Sequence, residues 1–193
     1  PRRQASLTAV LVKEVLDAAG IGVAGCDAVC VSSGPGSYTG LRVGVSTAKG
    51  LAFGAGIPLL SLGTLDVLVQ GVTASSPSFI VPMIDARRME VYTAVFSPAG
   101  DRLTPVEAKV VEPGAYREYL EKGEVLFVGD GALKCREVIS SPNALFQEAA
   151  PLASAMAPLA EAAWKEKQFE DVAYFEPFYL KEFIATVSRK NLF

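Results

Sequence analysis

VSSGPGSYTGLRVGVSTAKGLAFGAGIPLLSLGTLDVLVQ, residues 31–70, is the stretch on which the fold turns. An apolar strand ends in a Gly/Pro/Ser turn, and a helix opens directly behind it. Gly40, Gly44, Ala48 and Ala52 recur every four residues and fall on one ridge, with Leu41, Val45 and Leu51 beside it. A ridge without bulky side chains lets another backbone come close. That neighbour is either this chain's own sheet or a second helix. Arg42, Ser46 and Lys49 lie on the opposite side, which can stay wet. Ser37 or Thr39 is placed to cap the helix.

Upstream, QASLTAVLVKEVLDAA (residues 4–19) has helical periodicity on two adjacent lines. Leu7, Leu11, Val15 and Ala18 form one, and Ala5, Ala9, Val12, Leu16 and Ala19 the other, with Val10 outside both. A surface helix needs an apolar arc of only about 100° to reach its core. The surplus calls for a second contact, within the chain or with a partner. Downstream, alternating strands (27–32, 57–61) and helices (39–54, 64–72) predict a layered α/β domain with parallel pairing. The polar run TASSPS at 73–78 marks the expected boundary between an N-terminal part, 1–73, and a C-terminal part, 78–193.

In the second part, strands are expected at 79–85, 90–96, 106–111 and 125–128. Helices are expected from Pro113 through Tyr116 to Lys122, near 132–139, and from Pro151 to about Lys167. The tail from Tyr174 to Phe193 reads as a segment packed across the body.

Composition narrows the function. Half of the 193 residues are apolar and a fifth are charged, as in a well-buried α/β protein. A net charge of −3 offers no broad basic field for nucleic-acid phosphates. No apolar run reaches the ~18 residues of a membrane span, so the cytoplasm is the expected location. With no histidine in the chain, a Ser-His-Asp triad, a Cys-His pair and a histidine-bound metal are excluded within it. Cys26, Cys30 and Cys135 match no metal spacing and read as packing residues.

Two places invite a phosphate. The turn at 32–40 leads into a helix N-terminus but lacks the Gly-Lys-Ser/Thr ending of a P-loop. The hairpin after Asp85 resembles those with which the actin, sugar-kinase and Hsp70 ATPase superfamily holds phosphates through an Asp and Gly-rich backbone, but it carries Arg87, Arg88 and Met89 where glycines would be needed for close backbone approach. Asp85 and Arg87 are therefore candidate nucleotide or partner contacts, read first as a structural ion pair or partner contact rather than as a magnesium site.

The block Ser33-Gly34-Pro35-Gly36-Ser37-Tyr38-Thr39-Gly40-Leu41-Arg42, with Gly44 and Ala48-Lys49-Gly50-Leu51-Ala52, resembles the TsaB (YeaZ) family. Ile84-Asp85-Ala86-Arg87, Glu90-Val91-Tyr92 and Glu176-Pro177-Phe178-Tyr179-Leu180 extend the likeness along nearly the whole chain. The resemblance implies the actin, sugar-kinase and Hsp70 ATPase superfamily fold, α/β in two subdomains with a degenerate active site. Family members begin with a strand-turn-strand stretch before their first helix. Pro1 stands three residues from that helix here, and the expectation is a trimmed record with the first strands missing, Arg2-Arg3 being what remains of a loop.

The resemblance further implies a non-catalytic partner and activator of TsaD in forming N6-threonylcarbamoyladenosine (t6A) in tRNA. No catalytic or metal residue is assigned. Homologues of TsaD and TsaE are the implied partners, with a homodimer in isolation, tRNA met only through the complex, and no membrane. No cofactor is assigned to the chain alone, and ATP belongs to the assembled complex. The residues chosen for the partner interface are Leu7, Leu11, Val15, Gly40, Leu41, Gly44, Val45 and Ala48, which line of the first helix faces out being left open. The competing readings are an ATPase or small-molecule kinase of the same superfamily, and a glycoprotease-like metallopeptidase that would lack its usual histidine ligands.

Overall fold

A computed structural model describes residues 4–72 and 77–181. The first helix, α1, runs Gln4–Ala19, the range its periodicity predicts. Strand β1 (Val29–Gly34) leads through the Gly/Pro/Ser turn into α2 (Tyr38–Ala55), and β2 (Leu59–Gly63) into α3 (Thr64–Gln70). Both strands begin two residues later than the apolar runs suggest. Ser37 caps α2 by accepting a hydrogen bond from the Gly40 amide, and Gly56 closes it in the left-handed conformation. The expected parallel pairing is found: β1 and β2 form a two-stranded parallel sheet, with Val29 opposite Leu59 and Ser32 opposite Leu62.

The second sheet has five strands in the order β5-β4-β3-β6-β7. These are β3 (Phe79–Asp85), β4 (Glu90–Thr93), β5 (Glu107–Val110), β6 (Val125–Val128) and β7 (Ala144–Gln147). β3, β4 and β5 form an antiparallel meander, whereas β3, β6 and β7 are parallel. Pro82, without an N–H, sits where β3 changes its main partner from β6 to β4. Strand β7 has no counterpart in the sequence reading. The helix expected near 132–139 is instead a single 3-10 turn, Leu133–Cys135, and the one expected from Pro113 to Lys122 shortens to α4, Arg117–Leu120.

Alternation divides this sheet's side chains between two cores. Val81, Met83, Val91, Val125 and Phe127 face Tyr116, Leu120, Ala132 and Ile139. Ile80, Ala94, Leu126 and Val128 face the other way, onto Leu65, Leu68 and Val69 of α3. Because β6 is covered on both faces, VLFV reads as an unbroken apolar run. The helix α3 therefore belongs to both sheets, packing on β1 and β2 as well as β3. Helix α5 (Ala153–Lys165) returns to pack on β2 and α3. The expected division at 73 falls against residues 73–76, which lie outside the described residues, as do Arg2, Arg3 and the tail from 182 to 193. Among the described residues no helix is long and apolar enough to cross a membrane.

Residues 170–181 form a strap that crosses the molecule. Glu170 bridges to Leu59 and accepts a hydrogen bond from Ser61 Oγ at 2.5 Å. Lys49 Nζ donates to the carbonyls of Ala173 and Phe175 at 3.1 and 2.8 Å. The Phe178 amide donates to Ser33 O at 2.8 Å, and Tyr179 stacks on Tyr38 with ring centroids 4.6 Å apart. Lys49 is thus half-buried and engaged, not on a wet face as its helical position predicts. Lys49→Met is expected to free the strap's middle by about 1.5 kcal/mol. That corresponds to roughly tenfold faster hydrogen exchange at the Phe178 amide; unchanged exchange would mean the aromatic contacts hold the strap without the lysine.

Candidate functional site

The structure separates the residues chosen for an interface into two groups. On α2, Leu41, Val45 and Ala48 are buried at 9%, 3% and 6% exposure. Ala48 and Ala52 meet Leu59, with Val29, Val31, Val172 and Phe175 around them. A side chain at Gly44 would point at Val31, whose Cγ2 lies 4.0 Å from the Cβ position, and one at Gly40 would meet Ser37. The small-residue ridge is therefore filled by the chain's own β1, β2 and strap. Leu41, Val45 and Ala48 cannot reach a partner without opening that core, and Gly40 and Gly44 are turned toward the chain as well. Spacing alone cannot tell a ridge that packs on a sheet from one that meets a helix.

On α1 the outcome is the reverse. This helix rests on α2, with Val12 and Leu16 half-buried. Leu7, Leu11 and Val15 remain 44%, 54% and 68% exposed, and Val10 beside them is 47% exposed. The line of α1 that faces out is Leu7-Leu11-Val15-Ala18. Apolar side chains one turn apart on an otherwise solvated helix make a continuous stripe suited to docking another apolar helix face.

The hairpin joining β3 and β4 brings together Asp85, Arg87, Arg88 and two residues the sequence reading did not select, Lys134 and Asp130. Lys134 Nζ donates to Asp85 Oδ1 and to the carbonyls of Arg88 and Glu90, at 2.8 and 2.7 Å for the carbonyls. Asp85 Oδ1 also accepts from the Arg87 backbone N–H at 2.7 Å, and Asp130 Oδ1 accepts from the Asp85 N–H at 2.9 Å. The ion-pair partner of Asp85 is thus Lys134, not Arg87 as expected. Partial burial pushes the Asp85 carboxyl up, but the Lys134 hydrogen bond, the Arg87 amide and both cations outweigh it and hold the group below its ordinary value. No local sequence signal links Lys134 to a hairpin 44 to 49 positions away.

The cysteines are placed as packing groups. Cys135 is buried with its Sγ near Gly131 O, and burial pushes the Cys30 thiol up to about 11, which leaves little thiolate at neutral pH. Among the described residues no three His, Cys, Asp or Glu side chains converge as a metal site would require.

The family model described as TsaD, tRNA N6-adenosine threonylcarbamoyltransferase, matches residues 2–187. The tRNA threonylcarbamoyladenosine biosynthesis protein TsaB of Escherichia coli K12 is 28% identical, over 96% of this chain and 84% of that protein. The TsaB protein of Haemophilus influenzae is 29% identical, over 89% and 77%. Among solved structures, YeaZ from Pseudomonas aeruginosa superposes with a TM-score of 0.80 at 27% identity, over 93% of this chain and 85% of that one. The α/β fold is thus shared with YeaZ, and the chain belongs to the TsaD-type family, in its TsaB (YeaZ) branch.

Proposed function

We propose that this chain is a non-catalytic subunit that activates a TsaD-type transferase in the formation of t6A in tRNA. The observation that carries the reading is the stripe Leu7-Leu11-Val15 on α1, apolar and uncovered, on a chain whose relatives are named for this pathway. The stripe docks the transferase partner, and in isolation it pairs two copies of the chain.

The hairpin supports the non-catalytic half of the reading. Asp85 already has Lys134 and the Arg87 amide on its inner oxygen, and the tip carries arginine backbone where a phosphate would need glycine. In this reading the superfamily's nucleotide site is degenerate in this chain, tRNA is met through the complex, and ATP is handled by the assembly with a TsaE-type ATPase.

The test is tRNA modification by a purified TsaD, TsaE and threonylcarbamoyl-adenylate synthase mixture, with the chain added or withheld. Stimulation of t6A formation is the expected result. Equal modification with and without the chain would overturn the assignment. ATP hydrolysis by the chain alone, at a rate that accounts for turnover, would put the ATPase reading in its place.

A further inference from the structure

We propose that Arg87 and Arg88 form a two-guanidinium clamp for phosphate groups on the outside of the β3–β4 hairpin, independent of the α1 docking face. Its first support is the backbone. Arg87 and Arg88 have φ of 72° and 52°, so two successive non-glycine residues are left-handed. Each costs about 1–2 kcal/mol relative to ordinary backbone, and a turn that needs such angles is better made from Gly, Asn or Asp. Arginine contributes nothing to that turn, and strain of this kind gathers at ligand clamps.

Second, the strained tip is locked. Lys134 Nζ holds the carbonyls of Arg88 and Glu90 from inside, the Ala86 amide donates to Glu90 O at 3.1 Å, and the Glu90 amide donates to Arg87 O at 3.2 Å. Asp130 fixes the base of the hairpin through the Asp85 amide. The arginine stems therefore leave a rigid base, which lowers the ordering cost of binding.

Third, the nearby carboxylates are committed elsewhere. Asp85 pairs with Lys134 and Glu90 with Lys181, while Asp130 spends Oδ1 on the Asp85 amide. The Arg87 guanidinium acts on Asp85 only through space, and neither guanidinium has a hydrogen-bond or ion-pair partner among the described residues. Both residues are exposed. Two adjacent planar forks, each able to give paired N–H bonds to oxyanions, suit one phosphate held from two sides or two successive phosphates. The source is a nucleotide's phosphates or an RNA backbone, and the chemistry is common to both.

The side-chain Nε–Hε signals of the ¹⁵N-labelled full chain test this directly, with Arg87→Lys and Arg88→Lys variants assigning the two resonances. ATP without metal and an RNA hairpin of arbitrary sequence are titrated separately. The clamp predicts saturable shifts at Arg87 and Arg88 with at least one probe, while the exposed Arg42, Arg117 and Arg136 stay still. Which probe does so identifies the source. The double Arg87→Gln/Arg88→Gln variant should lose about tenfold in affinity for that probe. If the probe is RNA, its dependence of log affinity on log salt should flatten by about 1.5 to 2. No saturable shift with either probe, equal shifts at the control arginines, or unchanged affinity in the double variant would each overturn the proposal.

Discussion

Gly129→Ala is expected to lower the stability of the chain by about 3 kcal/mol, through a clash with main chain that no side-chain movement relieves. Gly129 has φ of 124°, outside what an alanine readily adopts. Its added Cβ would stand 2.3 Å from Met83 O and 2.9 Å from Leu68 Cδ2. Met83 O is backbone in the middle of β3 and already accepts the Gly131 amide, so relief means shifting the sheet. For a chain of this size the loss corresponds to a fall in Tm of roughly 6–12 °C. Gly56→Ala is the control. Gly56 is left-handed at φ 68° with nothing within 4 Å of its Cβ position, so conformation alone acts there, at about 1 kcal/mol. Urea unfolding of both variants separates the two terms. Equal losses would mean that β3 yields to the methyl group and that the Gly129-Asp130-Gly131 turn is not a rigid support for the arginine hairpin.

What was legible in the sequence follows the range of the interactions involved. Helix α1 was read at its true ends because its periodicity is sustained over four turns, and the start of α2 was legible because Ser37 caps it locally. The alternating pattern from 27 to 72 gave the parallel pair and its helices. Strand β7 escaped because ALFQ is four residues long and made a strand by pairing with β6, whose partner residues lie 19 positions earlier. The helix expected at 132–139 shrank to one 3-10 turn. Its apolar residues, Ala132, Cys135 and Ile139, are instead fixed by burial against the sheet.

The site divides along the same line. The two apolar lines of α1 were visible, but choosing between them needed the position of α2, which takes Val12 and Leu16 and leaves Leu7, Leu11 and Val15 outside. The α2 ridge was legible as a close-approach surface, but its spacing left open whether the chain's own sheet or a second helix fills it, because the strap that completes its cover comes from residues 172–175. Lys49 and Lys134 look like ordinary surface lysines in sequence. Each is defined by carbonyl acceptors more than 40 residues away, the kind of contact no window of sequence contains.

The α1 stripe carries the second large effect. Leu11→Asp combined with Val15→Asp is expected to weaken self-association and binding of a TsaD-type partner by at least about thirtyfold. The size comes from hot-spot residues, which contribute about 2 kcal/mol or more when they centre an apolar contact. An aspartate that must be desolvated against a partner's apolar face loses more than the truncated side chain alone. In the free chain both positions are more than half exposed, so stability should change by no more than about 0.5–1 kcal/mol, mostly from helix propensity. Val12→Asp, on the half-buried side of α1, should instead destabilise the packing on α2. Gly44→Trp should do the same between α2 and β1, since its side chain points at Val31. Sedimentation of the folded Leu11/Val15 variant, with t6A stimulation measured in parallel, decides between surfaces. Loss of both association and stimulation places the partner on α1. Loss of self-association with stimulation intact would confine the stripe to the homodimer and move the transferase contact elsewhere. Normal association would remove α1 as a docking face altogether.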